Sequence, residues 1–161
     1  MSINKFKPHV WIIPEDRANE EMANGFLLHH AVANRAAQVA RPAGGWGKVL
    51  EVFEREYLNL LQNPNAHVIM LIDFDHQIDD RRITFQKAIP DDVRTRVFVV
   101  GSKDEPESLK IELGMAFERI GGALAQDCLK DEFEIWRHPH LVHNNNELHR
   151  LVDVVKPFLF Q

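Results

Sequence analysis

Six residues, His67 to Ile72 (HVIMLI), constrain this chain more than any other stretch. They show no alternation of apolar and polar positions, so both sides of an extended backbone would be apolar. Such a strand needs cover on both faces, which is the pattern of a central strand in a parallel sheet flanked by helices. VFVVG (97–101) repeats the pattern, HVWII (9–13) closes on Pro14 as a shorter version, and RAAQVA (35–40) is a weak fourth.

Helical signals fill the gaps between these runs. Residues 15–30 carry acid early and histidine late, as the helix dipole favours, and put Met22, Phe26 and His30 on one face. The clearest helix is predicted over 46–61, where Trp46, Val49, Leu50, Phe53, Tyr57, Leu60 and Leu61 recur at three- and four-residue steps. A further helix is expected at about 80–88. Pro106 suits the first turn of the next, with Leu113, Phe117, Ile120 and Leu124 as its stripe. In the last helix Asn144 and Glu147 stand as a capping-box pair, and Leu148, Leu151 and Val155 point inward. Strands alternating with helices imply an α/β, doubly wound, mainly parallel four-stranded sheet with helices on both faces.

The 161 residues suit one domain, 1–161, with 130–161 as a C-terminal segment and helix packing on it. The single cysteine, Cys128, excludes an internal disulfide. No apolar run approaches the roughly 20 residues of a membrane span, and the first residues are too briefly apolar for a secretory signal, so the expected home is the cytoplasm. The net charge of −5 argues against a tight grip on DNA by this chain alone, because Lys and Arg drive phosphate binding.

Glu15 and Asp16 follow the first strand; Asp73 and Asp75 follow the third. Ligands of open α/β sheets collect at these carboxyl ends. Residues i and i+2 of an extended chain share a side, so Asp73 and Asp75 are expected to converge on one cation. Mg²⁺, with Mn²⁺ as substitute, takes such oxygen ligands and keeps several waters. The plainer alternative is that Asp73 ends the strand and Asp75 lies in a solvated turn. Arg81, Arg82 and Lys87 follow as candidates for phosphate contact, against an ordinary solvated helix face.

This arrangement resembles the Toprim domain of topoisomerases, primases and OLD-family nucleases, with an acidic residue after the first strand and a D-x-D after the third. IIPEDRANEE supplies Glu15, and LIDFDH supplies Asp73 and Asp75; the resemblance spans roughly residues 9 to 113, in element order more than in letters. It implies Mg²⁺-dependent cleavage of phosphodiesters, with Asp73 and Asp75 on the metal and Glu15 on the metal or in proton transfer. Asp16 and Asn19 stand where relatives commonly carry Gly and a further acid. Asp16, Glu105 and Glu107 are additional candidates.

The same resemblance implies DNA as substrate, a separate ATPase or DNA-binding partner, self-association, and a role in host defence. Tyr57 lies on an apolar stripe, so water is the expected attacker. The alternative is a non-catalytic Toprim-like regulatory or interaction subunit. A haloacid-dehalogenase-like phosphatase is disfavoured, because that family places its D-x-D after the first strand. RPAGGWGK lacks the phosphate-loop frame, since Val49 follows Lys48. His138, His140, His143 and His149 match no ligand spacing and are expected as surface polar groups or caps.

Overall fold

A computed structural model describes residues 2–161. The strands are β1 (His9–Pro14), β2 (Ala37–Val39), β3 (Ala66–Leu71) and β4 (Val97–Val100). They form one sheet in the order β2-β1-β3-β4, with every neighbouring pair parallel. The fold is therefore doubly wound α/β, as the alternating runs imply. After β1 the chain pairs β2 on one side of it and then returns to lay β3 on the other. The winding reverses between β1 and β3, a boundary the sequence runs do not locate.

One face of the sheet is covered by α2 (Trp46–Val52), α3 (Leu58–Leu60) and α4 (Ile78–Ala88). Val68 and Met70 point into this face and meet Phe53 and Phe85, all four fully buried. The other face, with Val10, Ile69 and Phe98, carries α1 (Arg17–Leu27), α7 (Asn145–Val154) and α8 (Lys156–Leu159). α5 (Pro106–Leu113) and α6 (Phe117–Lys130) lie outside α1. The α1–α6 contact is backbone to backbone. A Cβ at Gly25 would sit 2.0 Å from the Glu118 carbonyl oxygen, and one at Gly121 would sit 2.0 Å from that of Met22.

Three helical expectations change in detail. The helix predicted over 46–61 contains a π-helical turn, Phe53–Tyr57, between α2 and α3. The stripe from Leu113 to Leu124 is split between α5 and α6, because Gly114 takes the left-handed conformation (φ 64°) that ends a helix. Asn144 and Glu147 form no capping box: Asn144 makes no side-chain cap bond to α7.

Both side chains reach across to β4 instead. Val99 N–H donates to Glu147 Oε2 at 2.8 Å, and Gly101 N–H donates to Asn144 Oδ1 at 3.1 Å. Asn144 Nδ2 returns a bond to the Gly101 carbonyl at 2.9 Å, and Arg150 Nη2 donates to the Val97 carbonyl at 3.3 Å. An edge strand presents unpaired N–H and C=O groups that invite other strands. Here α7 satisfies that edge with polar side chains where a fifth strand would pair. Among the described residues no helix is long and apolar enough to cross a membrane.

A candidate carboxyl site where the winding reverses

Parallel pairing continues past the ends of the strands. Glu15 N–H donates to the Leu71 carbonyl at 2.8 Å, and Phe74 N–H to that of Ser102 at 2.9 Å. This extension carries Glu15 and Asp73 side by side off β1 and β3. The Asp73 N–H donates to Glu15 Oε2 at 2.6 Å, so the Glu15 carboxylate stands where the ladder's next acceptor would be.

Asp16 caps α1. Its Oδ1 accepts from the Asn19 N–H at 2.9 Å and from Asn19 Nδ2 at 3.0 Å. The same Nδ2 donates to Asp73 Oδ1 at 3.0 Å, so one amide bridges two carboxyls. Asn19 and Asp73 are both buried. Asn19 enters the sequence reading only as a departure from the Toprim pattern. Spacing from the Asp16 cap does not by itself mark the Asn19 amide as inward-facing.

Burial pushes the Asp73 carboxyl up to about 8, assisted by the charges of Asp16 and Glu15 and by a hydrogen bond with the Asp16 carboxyl, against the pull of Asn19. At neutral pH Asp73 holds a proton. Burial also raises Glu15, with Asp16 and Asp75 adding to the rise and the Asp73 N–H and Arg81 opposing it.

Asp75 does not follow the extended geometry expected of a D-x-D. Its backbone is left-handed (φ 48°), and its half-exposed carboxylate pairs with Arg81 Nη1 at 3.2 Å. Arg81 is buried, donates to the Asp73 carbonyl at 2.8 Å and lies 4.3 Å from the centre of the Trp46 ring. It is thus a fixed internal cation, not a solvated helix residue. Among the described residues, no three Asp, Glu, His or Cys side chains converge where together they could hold a metal ion. The expected set of Glu15, Asp73 and Asp75 is brought to one edge of the sheet but not to one point.

Glu105 and Glu107 lie exposed at the start of α5, and neither bonds to this cluster. The glycine turn before α2 does reach it, since Gly44 N–H donates to the Glu15 carbonyl at 2.8 Å. The histidines serve elsewhere. His138 and His140 stack 5.2 Å apart over Glu112, and His143 Nε2 bonds the Gly101 carbonyl at 2.7 Å while burial pushes it down to about 4. Tyr57 packs on Trp11 with 5.9 Å between ring centres, as core. Compared with known proteins, the chain matches no family model, no curated protein and no solved structure.

Proposed function

We propose that the chain is a Toprim-type protein acting on phosphodiesters with Mg²⁺ or Mn²⁺. The observation that carries this reading is a buried Asp73 tied to both Glu15 and, through Asn19, Asp16, where the winding reverses. Reversal points at the carboxyl ends of strands are where such sheets take ligands. The donor set fits a hard cation in a revised form. One or two carboxylates with waters suffice for Mg²⁺, and Asp16 and Asp73 are such a pair, while Asp75 is committed to Arg81. When bound, the cation would supply charge neutralisation at a phosphoryl oxygen and a more acidic water.

The chain's own residues do the remaining work. Asp16 and Asp73 would hold the cation, and Asp73 would have to give up its proton to serve as a ligand. Glu15 is held through Oε2 by the Asp73 N–H, which leaves Oε1 to accept a proton from an attacking water. Arg81, clamped on Trp46 and paired with Asp75, fixes the Asp73 backbone at this end of the sheet. The acidic surface calls for a DNA-binding or ATPase partner to bring the nucleic acid.

A second reading is a non-catalytic interaction subunit. It draws support from the intrachain partner that each carboxyl already has: the Asp73 N–H for Glu15, Asn19 for Asp16 and Asp73, Arg81 for Asp75. Calorimetric titration with Mg²⁺ and Mn²⁺, paired with nuclease assays on wild type and Asp73→Asn, separates the two. Metal uptake and cleavage, both lost in the variant, are expected. Uptake without cleavage favours the interaction subunit, and no uptake at all defeats the metal-dependent reading.

A further inference from the structure

The helices on the α1 side of the sheet do not close over it. α1 packs on α6 and α7 on β4, while α7 makes little contact with either α1 or α6. Between them lies a cavity of about 130 Å³. Its floor includes Ile69 and Leu71, half-buried although they belong to a central strand. Met22 and Phe26 of α1 form one wall, and Leu151 and Val152 of α7 the other, all four half-buried along the slot between the helices.

The lining is apolar almost throughout, and its few polar groups are turned away. Asn19 is engaged by Asp16 and Asp73, and Ser102 donates its hydroxyl to the Asp104 carbonyl. Burial pushes the Cys128 thiol up to about 12, so it stays neutral. An ordered water needs two to four polar partners, and dry apolar cavities of comparable size take small apolar ligands instead. Lining positions on α1 run from Asn19 to Leu27, about 12 Å at the helical rise. A slot of that length between two helices suits an extended chain.

One charged residue lines the cavity. Lys156 is half-buried and pairs with the exposed Asp131 at 2.7 Å, a partner that a competing anion displaces at little cost. Asn19, Leu141 and Ser102 close the opposite end and are buried.

The geometry points to a binding site for an anionic amphiphile, a straight-chain carboxylate whose alkyl tail fills the channel between α1 and α7 with its head at Lys156. The tail displaces no well-held water and buries apolar surface that the fold leaves open. The head exchanges Asp131 for its own carboxylate. This site adjoins the carboxyl cluster only at Asn19 and does not rest on the phosphodiester reading.

Calorimetric titration with decanoate, and with decanol as the uncharged control, both below their aggregation limits, tests the site. Saturable one-to-one binding is expected for both. Decanoate should bind about threefold more tightly, because a more enclosed pair at Lys156 replaces an exposed one that is worth little, and Lys156→Gln should erase that preference. Val152→Trp and Met22→Trp fill the slot from opposite walls at half-exposed positions, so at least one should keep the wild-type melting transition. Either is expected to weaken both probes at least tenfold. Absence of saturable binding to the wild-type chain, or unchanged affinity in a folded Trp variant, overturns the proposal; a decanoate preference that survives Lys156→Gln overturns the placement of the head.

Discussion

The two faces of this sheet are built from the same strands and finished differently. On the α2/α4 side Val68, Met70 and Ile72 are fully buried. On the α1/α7 side Ile69 and Leu71, their neighbours in the chain, remain half-buried over the channel. The difference lies in what holds the covering helices. Phe53 and Phe85 press α4 and the helical segment after α2 into the sheet. α7 is tethered largely at the β4 edge through Glu147, Asn144 and Arg150, by polar side chains that fix distance without filling space. An apolar strand face therefore specifies that cover exists, not that it is tight.

The largest test of this contrast is a pair of truncations one residue apart. Met70→Ala removes a fully buried side chain from the sealed face and should cost about 3 kcal/mol, the transfer loss plus an unrelaxed cavity. Leu71→Ala, on the channel side, removes a side chain already in part solvated, and about 1 kcal/mol is expected. Urea unfolding of the two variants measures both. Equal losses would mean the channel is closed in solution.

The acidic cluster meets the clefted face through Asn19, which both lines the channel and holds Asp73. Its signature is a pH slope. The folded chain keeps a proton on Asp73 up to about pH 8, whereas the unfolded carboxyl loses it near 3.8. Between those values the native state binds more protons, so this group lowers stability as pH rises through the window, by an amount on the order of a few kcal/mol. Asp73→Asn should flatten that part of the slope and make the protein more stable than wild type at pH 8.5. His143 acts in the opposite sense, its folded value of about 4 lying below 6.5, so stability is lost as pH falls through that range. Urea midpoints at pH 5.5, 7 and 8.5 for both proteins decide it; identical slopes in the two would remove the proton from Asp73.

How much of this was legible follows from which interactions are local. The runs at 9–13, 67–72 and 97–101 announce buried parallel strands because burial on two faces leaves its mark on every residue of the run. Even 35–40, a weak signal, contains β2. The position of Glu15 beside Asp73 was readable from the rule that sites sit at strand ends. Their partners were not. Asn19 and Arg81 look like helix-surface residues until a neighbouring strand end is placed against them, and strand order is a long-range fact. Asp75 failed the extended-chain argument because a left-handed residue directly after the buried Phe74 leaves no compositional trace. Asn144 and Glu147 matched a capping box by spacing, yet the edge of β4 competed for the same oxygens and won.

That edge gives the next test in size. Glu147→Ala leaves the Val99 N–H without its acceptor and frees Arg150, its ion-pair partner, from one anchor. A loss of about 1–2 kcal/mol is expected, the cost of a partly buried unsatisfied donor. Hydrogen exchange should show the penalty locally, with the Val99 amide losing protection and the α2/α4 side unchanged. A loss of protection spread evenly across the sheet would contradict the view that α7 is a polar strap on one edge.

The smallest expected effect is also the sharpest on the contrast between faces. Enlarging a side chain in a sealed core forces neighbours off their rotamers and typically costs 1–3 kcal/mol, which is what Val68→Phe should do at a fully buried position. Ile69→Phe puts a larger side chain over the channel, where half-buried neighbours leave room. The added ring buries apolar surface without displacing packed atoms, so its effect should be near zero, with a gain of up to about 0.5 kcal/mol. The two variants add similar bulk to adjacent residues of one strand, which holds secondary-structure propensity nearly constant. Differential scanning calorimetry then reads the cover alone: a lowered transition in Val68→Phe beside an unchanged or raised one in Ile69→Phe keeps the channel. A comparable drop in both would show the two faces to be equally packed, and the difference between them would lapse.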